Sequence, residues 1–218
     1  LPAPRHLPWR LRDCASARHS IHVDHLGRLI MRIEHADLPG LTPQDLCWWF
    51  GNIDGDVVIG SATLSRYHAW HPGDHIHWAL ARPGPTGRAE AGARFHITEA
   101  LGRNMAYLVD VIEDVTRLDR TGITLEKRVL GQVVSRLSHD FGTGAGGASY
   151  RSCLTVGFET PGIGQVLNPA IRRVHFPMAM GRAWIRHNIE EVGLLEHLVP
   201  LLRDSGSSDT DPRIRFPA

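Results

Sequence analysis

Residues 177–199, PMAMGRAWIRHNIEEVGLLEHLV, form the strongest helical segment of the sequence. The segment starts with Pro177, and Pro200 follows directly after its end, as is common at the two ends of a helix. Four apolar side chains of the segment fall within about 60° of one direction on a helix. These residues are Met180, Trp184, Leu194 and Leu198. We therefore predict a long terminal helix that buries one face.

His187 and Glu191 lie four residues apart on this helix, so they share the same face. That face coincides with the apolar stripe, and we expect both side chains to project toward the interior. A buried carboxylate beside an imidazole is costly unless it is paired or bound to a metal. The pair is therefore either half of a metal site or a buried His–Glu hydrogen bond that only orders the core.

The chain before this helix reads mostly as β-strands. A helix start at Thr42-Pro43-Gln44-Asp45 interrupts them, with Thr42 as N-cap and a stop at Gly51. Many strands followed by one long terminal helix predict an α+β domain, a curved antiparallel sheet wrapped on a helix. The predicted strands are residues 20–23, 28–34, 75–81, 94–100, 107–115, 129–137 and 149–158.

The domain organisation follows from these segments. We expect an N-terminal segment at 1–40, with a hairpin packed on the main domain, a main domain at 41–203 and a flexible polar tail at 204–218. The chain begins at Leu1 with neither an initiator methionine nor a signal-peptide pattern, so a preceding segment stays open.

Composition limits the classes of function. Of the 218 residues, 42% are hydrophobic and 22% are charged, which is typical of a chain that folds around a core. The 24 basic and 23 acidic residues leave a charge of +1, so neither nucleic acid nor a membrane is an expected partner. The three cysteines are widely spaced, which argues against a disulfide framework and favours a reducing, cytoplasmic location.

Histidine is unusually frequent, with 14 residues, and four of them fall in the segment YHAWHPGDHIHW at 67–78. In a strand, His75 and His77 would point to one side, and His71 would sit at the preceding turn. No carboxylate follows them closely, so the pattern of a cupin metal site is not met. Most of these histidines can equally be packing or surface residues.

Glu99 is a third candidate metal ligand, because it shares a strand face with Phe95 and Ile97. The alternative is an exposed carboxylate at the end of a strand. Two histidines and two glutamates would suit zinc. Asp74, His139 and Tyr150 are further polar candidates in or near loops, where groups that orient a substrate often lie.

Several of these segments together resemble the 2,4-diacetylphloroglucinol hydrolase and phloretin hydrolase family. The match extends over about residues 40–203, and its most specific motif is WIRHNIEEVG at 184–193. The other matching pieces are WWF at 48–50, YHAWHPGDH at 67–75 and FHITE at 95–99. The resemblance implies a helix-grip fold, like START-type domains and the birch-pollen allergen, with a zinc ion inside the cavity.

The resemblance also implies an activity and its residues. The reaction would be zinc-dependent hydrolysis of the C–C bond between an acyl group and a polyhydroxylated aromatic ring, which makes the substrate a phenolic ketone. The zinc ligands would be His71, Glu99, His187 and Glu191, with His75 and His68 as rivals of His71. The candidate catalytic groups, which would bind the ring hydroxyls or protonate the ring, are Asp74, His139, Tyr67 and Tyr150.

Two other classes of function stay open at this point. One is a helix-grip carrier that binds a hydrophobic ligand without chemistry, and the other is a metal-dependent polyketide cyclase or decarboxylase. A homodimer is one alternative for the oligomeric state. The inward His–Glu pair favours the hydrolase.

Overall fold

Eight strands of the computed structural model form one antiparallel sheet, and the structure describes Leu1 and residues 3–204. The spatial order of these strands is β1-β2-β10-β9-β8-β7-β6-β5. Strands β3 (Asp56–Ile59) and β4 (Ala62–Ser65) form a separate hairpin. The bounds of the main strands are Arg18–Val23 (β1), Leu29–Glu34 (β2), His75–Arg82 (β5), Arg94–Ala100 (β6), Leu108–Asp119 (β7), Gly122–Val129 (β8), Gln132–Gly144 (β9) and Gly147–Val156 (β10).

The four helices are α1 (Pro43–Gly51), α2 (Arg66–Trp70), α3 (Ile163–Val174) and α4 (Met178–Asp204). Helix α1 begins with the expected capping box: the Thr42 hydroxyl accepts from the Asp45 amide, and the Asp45 carboxylate accepts from the Thr42 amide. Helix α4 extends past Pro200, which leaves one backbone hydrogen bond unmade near its end.

Helix α4 packs across the inner face of the curved sheet. Met180, Trp184 and Ile189 meet Leu29 and Met31 of β2 in one buried cluster. The backbones come close at Gly181, where an added Cβ would lie 2.8 Å from the Ile21 Cδ1 atom. The interior between helix and sheet is therefore narrow at the start of α4.

This architecture confirms the predicted α+β class with a long terminal helix, which is the helix-grip arrangement. Strands β1 and β2 pair as a hairpin, and β2 also pairs with β10, so the hairpin continues the main sheet. The predicted tail lies, except for Asp204, outside the described residues.

One predicted strand, at 129–137, is wrong in its bounds. Its start is a tight hairpin turn, in which Leu130 has φ 50° and Gly131 has φ 78°. Positive φ at both central residues is typical of the turn type that matches the strand twist. The turn separates β8, which the sequence analysis missed, from β9.

We expect the packing of α4 to dominate stability. Leu198→Ala should lower the free energy of unfolding by about 3 kcal/mol, because Leu198 is fully buried and its loss leaves a cavity. Denaturant unfolding measures this change.

Leu130→Ala is the matched control, since the same side chain is 98% exposed at that position. Its effect should stay within about 0.5 kcal/mol. Equal effects of the two substitutions would contradict the packing described here.

Candidate metal centre and ligand cavities

Four side chains from three elements meet in the interior. His75 is the first residue of β5, Glu99 lies near the end of β6, and His187 and Glu191 lie one turn apart on α4. His75 and Glu99 are paired across the two strands. The histidines and Glu191 are almost fully buried, and the Glu99 side chain is 14% exposed. The helix thus contributes two ligand-type groups and the sheet contributes two.

The atoms that would bind a metal are close together. The Glu191 Oε2 atom lies 3.4 Å from His75 Nε2 and 3.7 Å from His187 Nε2. The Glu99 Oε2 atom lies 2.8 Å from His187 Nε2 and 3.7 Å from His75 Nε2. Ligands of a tetrahedral zinc ion, at bond lengths of about 2.1 Å, are about 3.4 Å apart. The ligand atoms of His75, Glu99 and His187 thus lie close enough together to hold one metal ion, and Glu191 lies within 3.7 Å of both histidines.

Outer hydrogen bonds orient the ligand-type groups. His187 Nδ1 lies 3.0 Å from Asp74 Oδ2, and His75 Nδ1 lies 2.6 Å from the carbonyl oxygen of Tyr67. Because each Nδ1 donates to an oxygen, each Nε2 faces the cluster. The Asn188 amide donates to Glu191 Oε1 at 2.6 Å. Such partners fix the tautomer and the ring orientation at metal sites.

The electrostatics of the cluster favour a positive charge at its centre. Burial by itself lowers the pKa of His187, but Glu99, Glu191 and the hydrogen bond with Asp74 raise it well above its ordinary value. Burial raises the pKa of Glu191, although His187 opposes this. Burial lowers the pKa of His75, and the charge of His187 adds to that effect. A divalent cation would supply the charge that both carboxylates require.

His75 lies in this cluster, whereas the predicted ligand His71 lies with Asp74 and His187 in a second group whose ligand-type atoms are within 4.8 Å of one another. His71 lies just after α2, where its Nδ1 accepts from the Asp74 amide and its Nε2 lies 3.1 Å from Glu190 Oε2. Both ring nitrogens of His71 are therefore engaged elsewhere. The third candidate, His68, hydrogen-bonds the carbonyl oxygen of Ile76 at 2.8 Å.

His75 and His77 do not point to the same side, contrary to the sequence-based expectation. The register of β5 against β6 shifts between these two residues, which marks a β-bulge. A bulge turns the following side chain to the other face. His77 is accordingly exposed beside His96, while His75 is buried.

A narrow cavity of about 50 Å³ lies beside the cluster. Tyr67 and His139, two of the candidate catalytic groups, line it. The Tyr67 hydroxyl is buried and has no hydrogen-bond partner among the described residues. Burial, and secondarily Arg117, lowers the pKa of His139 to about 3, so this ring is neutral.

Asp74 and Tyr150, two further predicted candidates, are not among the residues that line the two cavities. The Asp74 carboxylate accepts from the amides of Gly102 and Arg103 in addition to contacting His187, so it orients a ligand-type group instead of facing a cavity. Tyr150 packs behind His139, and burial raises the pKa of its hydroxyl well above the ordinary value. Asp74 lies in the loop between α2 and β5, and Tyr150 lies within β10.

A wide cavity of about 560 Å³ lies on the other side of the cluster. Ile97, Glu99, Leu137 and Trp184 line both cavities, so Glu99 lies at their junction, whereas His75, His187 and Glu191 line the narrow cavity. The lining of the wide cavity is mostly apolar, from β6 to β10 and from the region between α3 and α4. Its volume is in the range of small-molecule sites.

Glu113 of β7 is a further group in the wide cavity that the sequence analysis did not select as a site residue. It is 7% exposed, and among the described residues it makes no hydrogen bond or ion pair. Burial, with the charge of Glu99 second, raises its pKa to about 7. An acidic residue among valines at alternate positions, 109, 111 and 115, is the sequence pattern that could have revealed it.

Comparison with known proteins shows the fold. The KanY protein is similar over 78% of this chain and 95% of its own, with 8% identity and a TM-score of 0.50. A START superfamily protein from Mycobacterium smegmatis matches at 9% identity, over 76% and 97%, with a TM-score of 0.42. The major latex-like protein 151 of Panax ginseng matches at 11% identity, over 74% and 96%, with a TM-score of 0.39. At these identities the likeness concerns the fold alone.

The predicted membership in the 2,4-diacetylphloroglucinol hydrolase and phloretin hydrolase family is wrong on these findings. No family model and no curated protein matches the sequence. The KanY protein, which is similar with a TM-score of 0.50, is not described as a hydrolase. In the described part of the chain, no helix has the length and apolar character of a membrane span.

We expect Glu113 to make stability depend on pH. Its pKa is about 7 in the folded protein against an ordinary 4.5, so the folded state holds its proton longer than the unfolded state. Stability therefore falls as the pH rises through this interval, by about 3 kcal/mol in total. Glu113→Gln should abolish this loss of stability. Relative to the wild type, the free energy of unfolding of the variant should therefore rise by about 3 kcal/mol between about pH 4 and about pH 8.

Denaturant unfolding of both proteins across this range measures the difference. At the acidic end both side chains are neutral, which provides the internal control. A constant difference at all pH values would contradict the raised pKa.

Proposed function

We propose that this helix-grip protein binds a small molecule with an apolar body and an oxygen-bearing group, and that a divalent metal ion holds the oxygen-bearing group. The observation that carries the proposal is the cluster of His75, Glu99, His187 and Glu191, which lines the narrow cavity and also reaches the wide cavity through Glu99. The apolar lining suits the body of the ligand, and the cluster suits its polar end. The likeness in fold to START-type proteins supports the binding of a ligand.

Zinc is the metal that we propose. Two imidazoles and two carboxylates are a borderline donor set, and the spacing of their ligand atoms fits tetrahedral coordination. Each histidine also has the outer hydrogen bond that is usual at zinc sites.

Substitution of a ligand should remove the metal. We expect His187→Ala, Glu191→Ala and His75→Ala each to lose bound zinc, because three groups of the four cannot retain it at the same affinity. Elemental analysis of the purified proteins, with circular dichroism to verify folding, measures the content. Full zinc content in any of these variants would overturn the ligand set.

Two further substitutions test the arrangement around the ligands. His71→Ala should keep its zinc, since the ring of His71 stacks on His187 but its two nitrogens are engaged with Glu190 and the Asp74 amide. Asp74→Asn should weaken zinc binding by about 10-fold to 100-fold, because Asp74 orients His187. Loss of zinc in the His71 variant together with retention in the His75 variant would instead support the ligand set predicted from the sequence, which has His71 in place of His75.

Catalysis is a second proposal, and the groups in the narrow cavity favour it. Tyr67 has an unpaired hydroxyl, and His139 is a neutral imidazole, which can exchange a proton with a substrate. A carrier of hydrophobic ligands would not require such groups next to a metal. We propose hydrolysis of the C–C bond between an acyl carbonyl and a phenolic ring, in which water adds to the carbonyl carbon and the ring carbon accepts a proton.

A bound zinc ion would polarise the carbonyl and lower the pKa of water. The Tyr67 hydroxyl can donate a hydrogen bond to an oxygen of the ring, and His139 can pass the proton to the ring carbon. The aromatic walls formed by Trp70 and Trp184 would hold a planar substrate. The products are a carboxylic acid and the deacylated phenol.

Incubation with an acylphloroglucinol, followed by mass spectrometry, distinguishes the proposals. Hydrolysis predicts the carboxylic acid and the deacylated ring, with at least about 100-fold slower turnover in His139→Ala. Binding without any product would support the ligand carrier and contradict the hydrolase. A product of lower mass through loss of water or carbon dioxide would instead indicate a cyclase or decarboxylase.

A further inference from the structure

Glu113 lies on the inner face of β7, where its neighbours at alternate positions are valines. Val109, Val111 and Glu113 all line the wide cavity, and Val115 belongs to the core. A carboxyl group at this position is 7% exposed in an otherwise apolar wall. Such burial is costly without a partner.

Among the described residues, none forms a hydrogen bond or ion pair with the Glu113 carboxyl group, although the charge of Lys127 partly opposes the rise in its pKa. Lys127 of β8 also lines the wide cavity, but no ion pair joins it to Glu113, and its Nζ lies 3.5 Å from the carbonyl oxygen of Ile112. By contrast, the buried Glu126 on the same strand as Lys127 is paired with Arg128 and Arg136. The fold thus pairs the buried Glu126 carboxylate with two arginines, whereas Glu113, which faces the cavity, has no ion pair among the described residues.

We propose that Glu113 binds a cationic amine on the apolar ligand of the wide cavity. The inference rests on the proposed ligand-binding function and names a second polar group of the ligand, apart from the one at the metal cluster. An ammonium group neutralises a buried carboxylate and donates up to three hydrogen bonds. A hydroxyl would leave the charge uncompensated, and a carboxylate ligand would be repelled.

The cavity around Glu113 is consistent with this charge preference. Its other carboxylates are Glu99 at the cluster and Asp110, which already contacts His96 and Thr98. Glu113 is therefore the buried acidic group that remains free to bind a ligand within the described lining. The apolar wall beside it accommodates the hydrocarbon part.

The test compares two probes that differ only in the polar group, octylamine and octanol, by isothermal titration calorimetry with the full protein. At about pH 8 we expect octylamine to bind at least about tenfold more tightly than octanol, as for a hydrogen bond between charged groups. In Glu113→Gln this preference should disappear while the affinity for octanol is unchanged. Any contribution of the metal to amine binding is common to both proteins, so the comparison isolates Glu113.

Asp114→Asn is the matched control, because it removes a carboxylate from the opposite face of the same strand, where it pairs with Arg94. It should keep the preference for the amine. Glu113→Leu provides a second variant if the glutamine protein does not fold.

Equal affinities of the wild type for the two probes, or an unchanged preference for octylamine in Glu113→Gln, would overturn this inference. Neither result would contradict the proposal that the wide cavity binds a ligand. Absence of binding by both probes would contradict the cavity as a ligand site and the inference with it.

Discussion

The hydrogen bond between His187 and Asp74 joins helix α4 to the sheet side of the site, and the rest of the site depends on it. The same Asp74 carboxylate accepts from two backbone amides after β6, so its position is determined by the main chain. His187 is thereby oriented with Nε2 toward Glu99. Because this hydrogen bond is buried, the imidazole of His187 and the carboxylate of Asp74 must keep one relative geometry. A loosely packed α4 could not maintain that geometry.

Two cavities of different character meet at Glu99 of the cluster. The narrow cavity contains the neutral imidazole of His139 and the phenol of Tyr67 next to the ligand-type residues. The wide cavity is mostly apolar and contains Glu113. A molecule that satisfies both sides would be amphipathic, with an oxygen near the cluster. The proposals of metal binding, catalysis and amine recognition are separable, since each depends on a different set of side chains.

Much of the fold could be predicted from local patterns, and the site only in part. The terminal helix followed from its apolar spacing, and its inward His187 and Glu191 followed from helical geometry. Glu99 followed from strand alternation. The choice between His71 and His75 could not be made, because it depends on where α2 ends and on a β-bulge that exposes His77. The family resemblance drawn from the same motifs was wrong, although the fold that it implied was confirmed.

The sequence by itself determined the class of fold and the shared inward face of His187 and Glu191 on the terminal helix. Periodicity specifies which face of a helix or strand is buried, and that is a local property. The tertiary structure decided that His75 lies in the cluster, that Asp74 hydrogen-bonds His187, and that Glu113 faces a cavity without an ion pair among the described residues. These are relations between elements distant in sequence, which arise only when the sheet and the helix pack together.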